Sequence, residues 1–351
     1  MSRFTTWLDE RTGLGPPLHA LLNYPIPQYV HKNLLYSLGG LTLISFVYQM
    51  VSGILLMFYY SPSPINAYDS VDYITYQVPL GWLIRGVHHY GASAIVILVV
   101  LHMIHAYSYS AYKKPREFNW VSGVLLLLIT LGFGFTGYLL PWDQRGYWAT
   151  KVGTEIAGSV PVIGTTIIQL MRGGEMLGQL TLTRFYAVHV AVLPIALMML
   201  IGLHLYLLRY HGMAPPVTKK AQKHADTYVP FFPHVVLTDT ILGIGLLALL
   251  AYFSWSEYVP LEFPADPTSG NYVPRPEWYF LFFFQLLKYF PGPLEPVATV
   301  VIPSLIFGTM LLLPFIDTSE ERRPWCKPFT TAIGLIYIIS IVGLTLVALF
   351  E

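Results

Sequence analysis

The sequence predicts an all-α integral membrane protein with seven transmembrane helices. Three observations predict it. Only 11% of the 351 residues are charged and 54% are hydrophobic, whereas soluble domains carry about 25% charge. Seven stretches are long and apolar enough to cross a hydrocarbon layer of about 30 Å. The loops between them alternate in positive charge, as membrane topology requires.

The seven stretches are Leu34–Phe58, Trp82–Tyr109, Phe118–Leu139, Phe185–Arg209, Val236–Phe253, Pro296–Phe315 and Thr331–Phe350. The sixth contains Pro303, which a membrane helix tolerates because neighbours re-satisfy the freed carbonyl. Loops 1–33, 110–117, 209–235 and 316–330 hold 13 Lys and Arg, and loops 59–81, 140–184 and 254–295 hold six. The positive-inside rule then places the N-terminus in the cytoplasm, the n side, and Glu351 on the opposite p side. The opening run MSRFTTWLDERTG has no apolar core and no small-residue cleavage site, so it does not read as a signal peptide. It reads as a short surface helix followed by a Pro-containing loop. Loops 140–184 and 254–295 each exceed 40 residues, a length that marks functional loops. Shaped chemistry is therefore expected mainly on the p side.

Composition excludes several classes. A net charge of +1 leaves no footprint for nucleic acid. The single cysteine, Cys326, rules out a disulfide within the chain and any all-cysteine metal or iron–sulfur site.

Four histidines carry the strongest chemical signal. His88 and His102 lie 14 residues apart in the second stretch, and His189 and His204 lie 15 apart in the fourth. At about 100° per residue these spacings return to within roughly 40° and 60° of the start, with roughly 21 Å of rise between them. Each pair therefore shares a helix face. If the two helices are antiparallel neighbours, His88 faces His189 and His102 faces His204. Two facing imidazoles are axial ligands for a b-type haem, so the spacing predicts two haems stacked across the bilayer inside a four-helix bundle. His89 and His105 compete but share no face with a partner at a matching step. A lone membrane histidine is commonly a polar side chain bonded to its neighbour. Matched pairs on two helices argue against that here, because intramembrane ionisable residues are rare and functional.

Other residues support the pattern. Gly39 and Gly53 are 14 apart in the first stretch, as are Gly123 and Gly137 in the third. Without a Cβ, each lets a backbone approach a haem closely; small-residue helix packing would account for them equally well. Gly40, Gly132 and Gly134 offer the same freedom. Arg85 precedes His88 by one turn, Lys113, Lys114 and Arg116 lie beyond His102, and Arg209 follows His204. Guanidinium groups fit the carboxylates of haem propionates. The positive-inside rule explains the n-side cations as well, but not Arg85. On loop 254–295, Glu277 stands among aromatics in Pro276-Glu277-Trp278-Tyr279. A carboxylate buried there could take a proton from a bound quinol, although Trp and Tyr also belt ordinary membrane interfaces.

Taken together and in order, Arg85-Gly86-Val87-His88, His102, Gly137-Tyr138-Leu139-Leu140-Pro141-Trp142, His189, His204 and Pro276-Glu277-Trp278-Tyr279 resemble cytochrome b of the quinol:cytochrome c oxidoreductases. These are the bc1 and b6f complexes, and the likeness covers nearly the whole chain. The spacing of 15 and the run Lys113-Lys114-Pro115-Arg116-Glu117 look closer to the b6 type. Seven spans rather than eight look like a b6 subunit fused to a three-helix subunit IV. On that basis 1–33 is an n-side surface segment, 34–209 the dihaem bundle, 210–235 a linker, and 236–351 the subunit IV-like part.

The resemblance implies a function. Quinol would be oxidised on the p side between Tyr138–Trp148, loop 150–175 and Pro276–Tyr279, with Glu277 as proton acceptor and Tyr279 against the ring. One electron would pass to a Rieske iron–sulfur protein and a c-type cytochrome. The other would pass through the two haems to quinone on the n side, near Arg209 and Asp239, completing a Q cycle that builds a proton gradient. Asp239 resembles the Asp of the family's Lys-Asp-Ile-Leu-Gly run; a helix-start carboxylate would explain it equally. The cofactors implied are two non-covalent haem b. The b6 type anchors a further, c-type haem through a Cys where this chain has Ser37, so no covalent third haem is expected. A homodimer of the complex, lipid contacts and a bacterial cytoplasmic membrane complete the implication. Two alternatives remain open from the residues alone. A dihaem anchor of a dehydrogenase would explain the histidines but not loop 254–295. A transporter with histidine proton relays would need no haem.

Overall fold

The computed structural model of the chain describes residues 3–217, 227–269 and 272–351. Among the described residues, seven helices are long and apolar enough to cross a membrane, as expected. They are Leu34–Met57, Gly81–Ser108, Glu117–Tyr138, Gln179–His211, Phe231–Ser256, Gly292–Ile316 and Pro328–Phe350, here the first to seventh spans.

Local chemistry sets their ends. Asn33 accepts a hydrogen bond from the Leu35 N–H and opens the first span. Glu117 sits in the first turn of the third span, where the helix dipole favours an acid. The fourth and sixth spans each contain one π turn, Val188–Val192 and Val297–Val301. Each lies just before a proline, Pro194 and Pro303. Proline lacks the N–H for the carbonyl four residues back and its ring crowds that carbonyl, so the ladder loosens to a wider turn.

The first and second spans pack together, as do the third and fourth, and the second touches the third. The last three spans flank this bundle. The fifth lies on the second and first, the sixth on the third, and the seventh on the short helix Leu281–Lys288. Side chains such as Ile54, Ile195, Ile241 and Ile339 point outward, as lipid-facing helices allow.

The segments expected to be loops hold more structure than anticipated. Pro16 and Pro17 begin a second surface helix, Gly15–Leu22, rather than forming a loop. Proline is tolerated in a first turn because its missing N–H would be unpaired there. Residues 140–184 fold into helices Gln144–Gly158 and Gly164–Arg172 before the fourth span begins at Gln179. Asp143 caps the first of these by accepting from the Gly146 N–H at 2.8 Å. The surface segment and the linker are joined by an antiparallel two-strand ladder, Pro25–Pro27 against Tyr228–Pro230. Residues 218–226, with His224, and residues 270–271 of the long loop lie outside the described residues.

At the N-terminal face a buried ion cluster ties the bundle to the last two spans. Asp317 accepts from Lys113 at 2.7 Å and from Tyr112 at 2.5 Å, and Lys327 approaches it at 3.3 Å. Burial pushes the Asp317 carboxyl up. The bonds from Lys113, Tyr112 and Ser319 outweigh it and hold the group well below the usual range.

Candidate functional site

The bundle brings the four histidines into two facing pairs. The His88 and His189 rings are 6.4 Å apart, centre to centre, at 72°, and the His102 and His204 rings 6.5 Å apart at 75°. The two separations match although the sequence spacings differ. The π turn at Val188–Val192 takes up the extra residue between His189 and His204. The fourth span thus brings both of its histidines to nearly the same ring separation from those of the second.

The four glycines at 14-residue spacing each meet one of these rings. A Cβ built on Gly137 would lie 2.7 Å from His189 Cε1, on Gly39 3.1 Å from His102 Cε1, on Gly53 3.1 Å from His88 Cε1, and on Gly123 3.6 Å from His204 Cε1. The other glycines considered serve other neighbours. Gly134 makes room for Tyr279, Gly40 for Asp239, and Gly132 faces Leu193.

Three hydroxyls, which the spacing analysis missed, set the state of the imidazoles. Ser52 Oγ is 3.0 Å from His88 Nδ1, Thr136 Oγ1 2.9 Å from His189 Nδ1, and Ser122 Oγ 2.9 Å from His204 Nδ1. Each hydroxyl donates its own proton to a carbonyl of its helix: Tyr48, Gly132 and Asn119 respectively. It can then only accept from the ring, so Nδ1 carries the hydrogen and Nε2 keeps a free lone pair. A sequence signal for this was present. Ser52-Gly53, Ser122-Gly123 and Thr136-Gly137 are hydroxyl–glycine pairs, whereas Leu38 precedes Gly39. His102, the ring against Gly39, is the one whose buried Nδ1 has no partner.

These residues fit an iron held between two imidazoles. Metal–nitrogen bonds of about 2 Å and roughly 1.1 Å from nitrogen to ring centre put paired rings about 6.3 Å apart. The separations of both pairs agree, and three tautomers present the ligating nitrogen. A hydrogen-bonded second nitrogen fixes a ligand's orientation and raises its basicity. Thr136→Val is therefore expected to weaken haem binding at His88/His189 about 10–100-fold and leave His102/His204 unchanged. Haem retention of each pair under detergent challenge, followed by absorption, measures this; equal retention at both pairs would contradict it.

One cavity of about 600 Å³ takes in the space between His88 and His189, where a haem would sit, and continues to the long loop. Its wall carries His88, His189, Arg85, Tyr138, Glu277 and Tyr279. Pro276 precedes the wall residue Glu277, whose extended backbone leads into the short helix Trp278–Phe280. The Glu277 side chain is 12% exposed and pairs with Arg145 at 2.9 Å. Burial pushes the Glu277 carboxyl above the usual range, against the pull of Arg145 and with a further push from Asp143. Burial likewise pushes the Tyr279 phenol up. Arg145, not singled out from sequence, joins Arg85 as a cation of this wall.

The expected cations have partners within the protein. Arg85 is buried and donates to the Val259 and Pro260 carbonyls and to Thr75. Arg116 donates to the Gly212 and Met213 carbonyls, and Arg209 lies over the Tyr24 ring. Asp239 is not a helix-start carboxylate, because its helix begins at Phe231. It sits on Gly40, with Oδ1 buried and unpartnered. Asp239 and Arg209 thus have different neighbours. His31 and His234 meet edge-on between the surface segment and the fifth span.

Comparison with known proteins agrees with this geometry. Residues 21–212 match the Cytochrome b/b6/petB family and residues 264–350 the Cytochrome b(C-terminal)/b6/petD family. The chain is 37% identical over 95% of its length to the cytochrome bc complex cytochrome b subunit of Chlorobaculum thiosulfatiphilum, covering 77% of that protein. It is 43% identical over 62% of its length to cytochrome b6 of Synechococcus sp. (strain JA-3-3Ab), covering all of it. A chain from a hyperthermophilic respiratory Complex III superposes with a TM-score of 0.85 at 33% identity, covering 98% of this chain and 90% of that one. Paired histidines within apolar spans, a glycine at each ring and two consecutive family matches leave one assignment: this chain belongs to the cytochrome b family and is the membrane-embedded, electron-transferring cytochrome b subunit of a bc-type complex.

Proposed function

We propose that the chain oxidises quinol in the cavity beside His88 and His189 and reduces quinone at its N-terminal face. The observation that carries this is the shared wall: the first histidine pair and the Glu277–Tyr279 motif line one cavity of about 600 Å³. Tyr279, held on the third span over Gly134, packs against the quinol ring with Tyr138. Glu277, desolvated but balanced by Arg145, accepts a hydroxyl proton. Quinol yields two electrons and two protons, one proton passing to Glu277 and the other to solvent on the same p side. One electron leaves to a Rieske iron–sulfur protein and then a c-type cytochrome; the other crosses to the quinone. Haem b at His88/His189 and at His102/His204 supplies reversible one-electron carriage at two depths of the membrane. Arg85, beside the first pair, and Arg116 and Arg209, beyond the second, are the propionate-side cations.

The N-terminal face is cytoplasmic on the loop-charge argument. Asp239, with a buried carboxylate oxygen that has no partner, is the protonatable group for quinone there; Arg209, over the Tyr24 ring, would contribute only charge on the same face. A covalent third haem does not fit. Thioether attachment needs a thiol, position 37 is Ser, and Cys326 is exposed on the loop between the sixth and seventh spans. The proposal places the complex, as a homodimer, in a bacterial cytoplasmic membrane.

A redox-poised absorption titration of the purified complex, with acid–acetone haem extraction, tests this reading. Two fully extractable b haems with separate midpoints, together with quinol:cytochrome c turnover, are the expected result. A single haem would break one of the histidine pairs. A non-extractable residue would restore the third haem, and absence of turnover would return the chain to an anchor role.

A further inference from the structure

A proton accepted at Glu277 must leave before the next quinol is oxidised, and Glu277 is nearly sealed from solvent. A second cavity, of about 530 Å³, lies on the same face, lined by Tyr68, Gln144, Leu261, Glu262, Phe263, Ser269 and Tyr272. Glu262 lines both this cavity and the quinol cavity. It is half-buried, and its Oε2 accepts from the Tyr272 hydroxyl at 2.7 Å.

The backbone holds Glu262 at this junction. Its N–H donates to Asp143 Oδ2 at 3.1 Å, and the Gln144 N–H donates to the Phe263 carbonyl at 2.9 Å. Asp143 also lines the quinol cavity, but its two oxygens accept backbone N–H groups from Gly146 and Glu262. It serves as a fixed acceptor that positions the segment. Glu262 has instead a phenol partner that can itself pass a proton, and it reaches the second cavity. The charged and titratable groups facing it are Asp143, Tyr272 and Tyr68, with Arg145, Glu277, Arg85 and His89 on the quinol-cavity wall.

We propose that Glu262 is the exit residue through which the proton held by Glu277 reaches solvent. The transfer is balanced: protonated Glu277 and ionised Glu262 become ionised Glu277 and protonated Glu262, which then releases the proton through the second cavity beside Tyr272. Glu262 acts through Glu277, as a positioning and relay group. This inference rests on the quinol-oxidation reading above, and the test separates the two.

Quinol:cytochrome c turnover is measured on the intact complex carrying Glu262→Gln, Glu262→Asp or Glu277→Gln. Glutamine keeps an acceptor for Tyr272 and the backbone bond, and loses only the ability to carry a proton. Glu262→Gln is expected to lower kcat about tenfold, less than the 10²–10⁴ typical of a direct acid–base group, with KM and haem spectra unchanged. The loss should be greatest at acidic pH, where solvent takes the proton least readily. Glu262→Asp and added formate should each restore turnover. If Glu277→Gln is slow and Glu262→Gln runs at the parent rate, the exit role is overturned and the quinol site stands. If Glu262→Gln is slow but neither aspartate nor formate helps, the residue is only structural and the proposal fails. If neither glutamate matters, Glu277 is not the proton acceptor of the quinol-oxidation reading and the exit role falls with it.

Discussion

Glu277→Gln is expected to slow quinol oxidation by about 10²–10⁴-fold, the usual contribution of a positioned acid–base group, while both haems stay bound. Glutamine has nearly the same shape and still accepts from Arg145, so the wall survives and only the proton acceptor is lost. The pH dependence carries the sign. Burial raises the Glu277 pKa, and Arg145 opposes that rise. The ionised form accepts the proton, so turnover should increase with pH through a value above that of an ordinary glutamate. Replacing Arg145 with Leu removes the opposing charge and should move this limb to still higher pH. A flat acidic limb in the parent complex, or parent-like turnover in Glu277→Gln, would remove Glu277 from the proton path.

The second large effect is expected from His189→Leu. Leucine fills the space but offers no ligand, so His88 would be left without the partner that holds the haem from the other side. Haem content should fall from two to one per chain, with the His102/His204 absorption retained and quinol oxidation abolished. Loss of a bound cofactor removes its linked stabilisation, so a lower melting temperature should accompany the change. Thermal denaturation and extracted haem per chain measure both. Two haems retained in the variant would show that the facing rings at 6.4 Å are packing partners only. The reciprocal variant, His204→Leu, should lose the other haem and spare the first.

Much of the site was legible because it repeats with the helix. His88/His102 and the glycines at steps of 14 lie along single helix faces, and a face is a property of spacing alone. The seven spans were legible for a similar reason, since a bilayer admits only long apolar helices here. The 15-residue step of His189/His204 was harder. Its roughly 60° offset looked poorer than that of the first pair, and the π turn ahead of Pro194 removes the difference. The hydroxyls were readable in part, since each stands one residue before a glycine, but their role depends on which carbonyl takes their proton.

Contacts between distant segments had no such period. Arg145 and Glu277 are 132 residues apart, and Tyr112 and Asp317 205 apart. The junction of the two cavities at Glu262 belongs to this class, as does the placement of Asp239 on Gly40 rather than beside Arg209. Helical period and hydropathy act within a dozen or so neighbouring residues, and that range sufficed for the spans, the ligand faces and the close-approach glycines. Which buried charge meets which depends on how the helices pack and where the long loop returns. Desolvation makes an unpaired ion costly, so those pairings emerge only when the whole chain has closed around them.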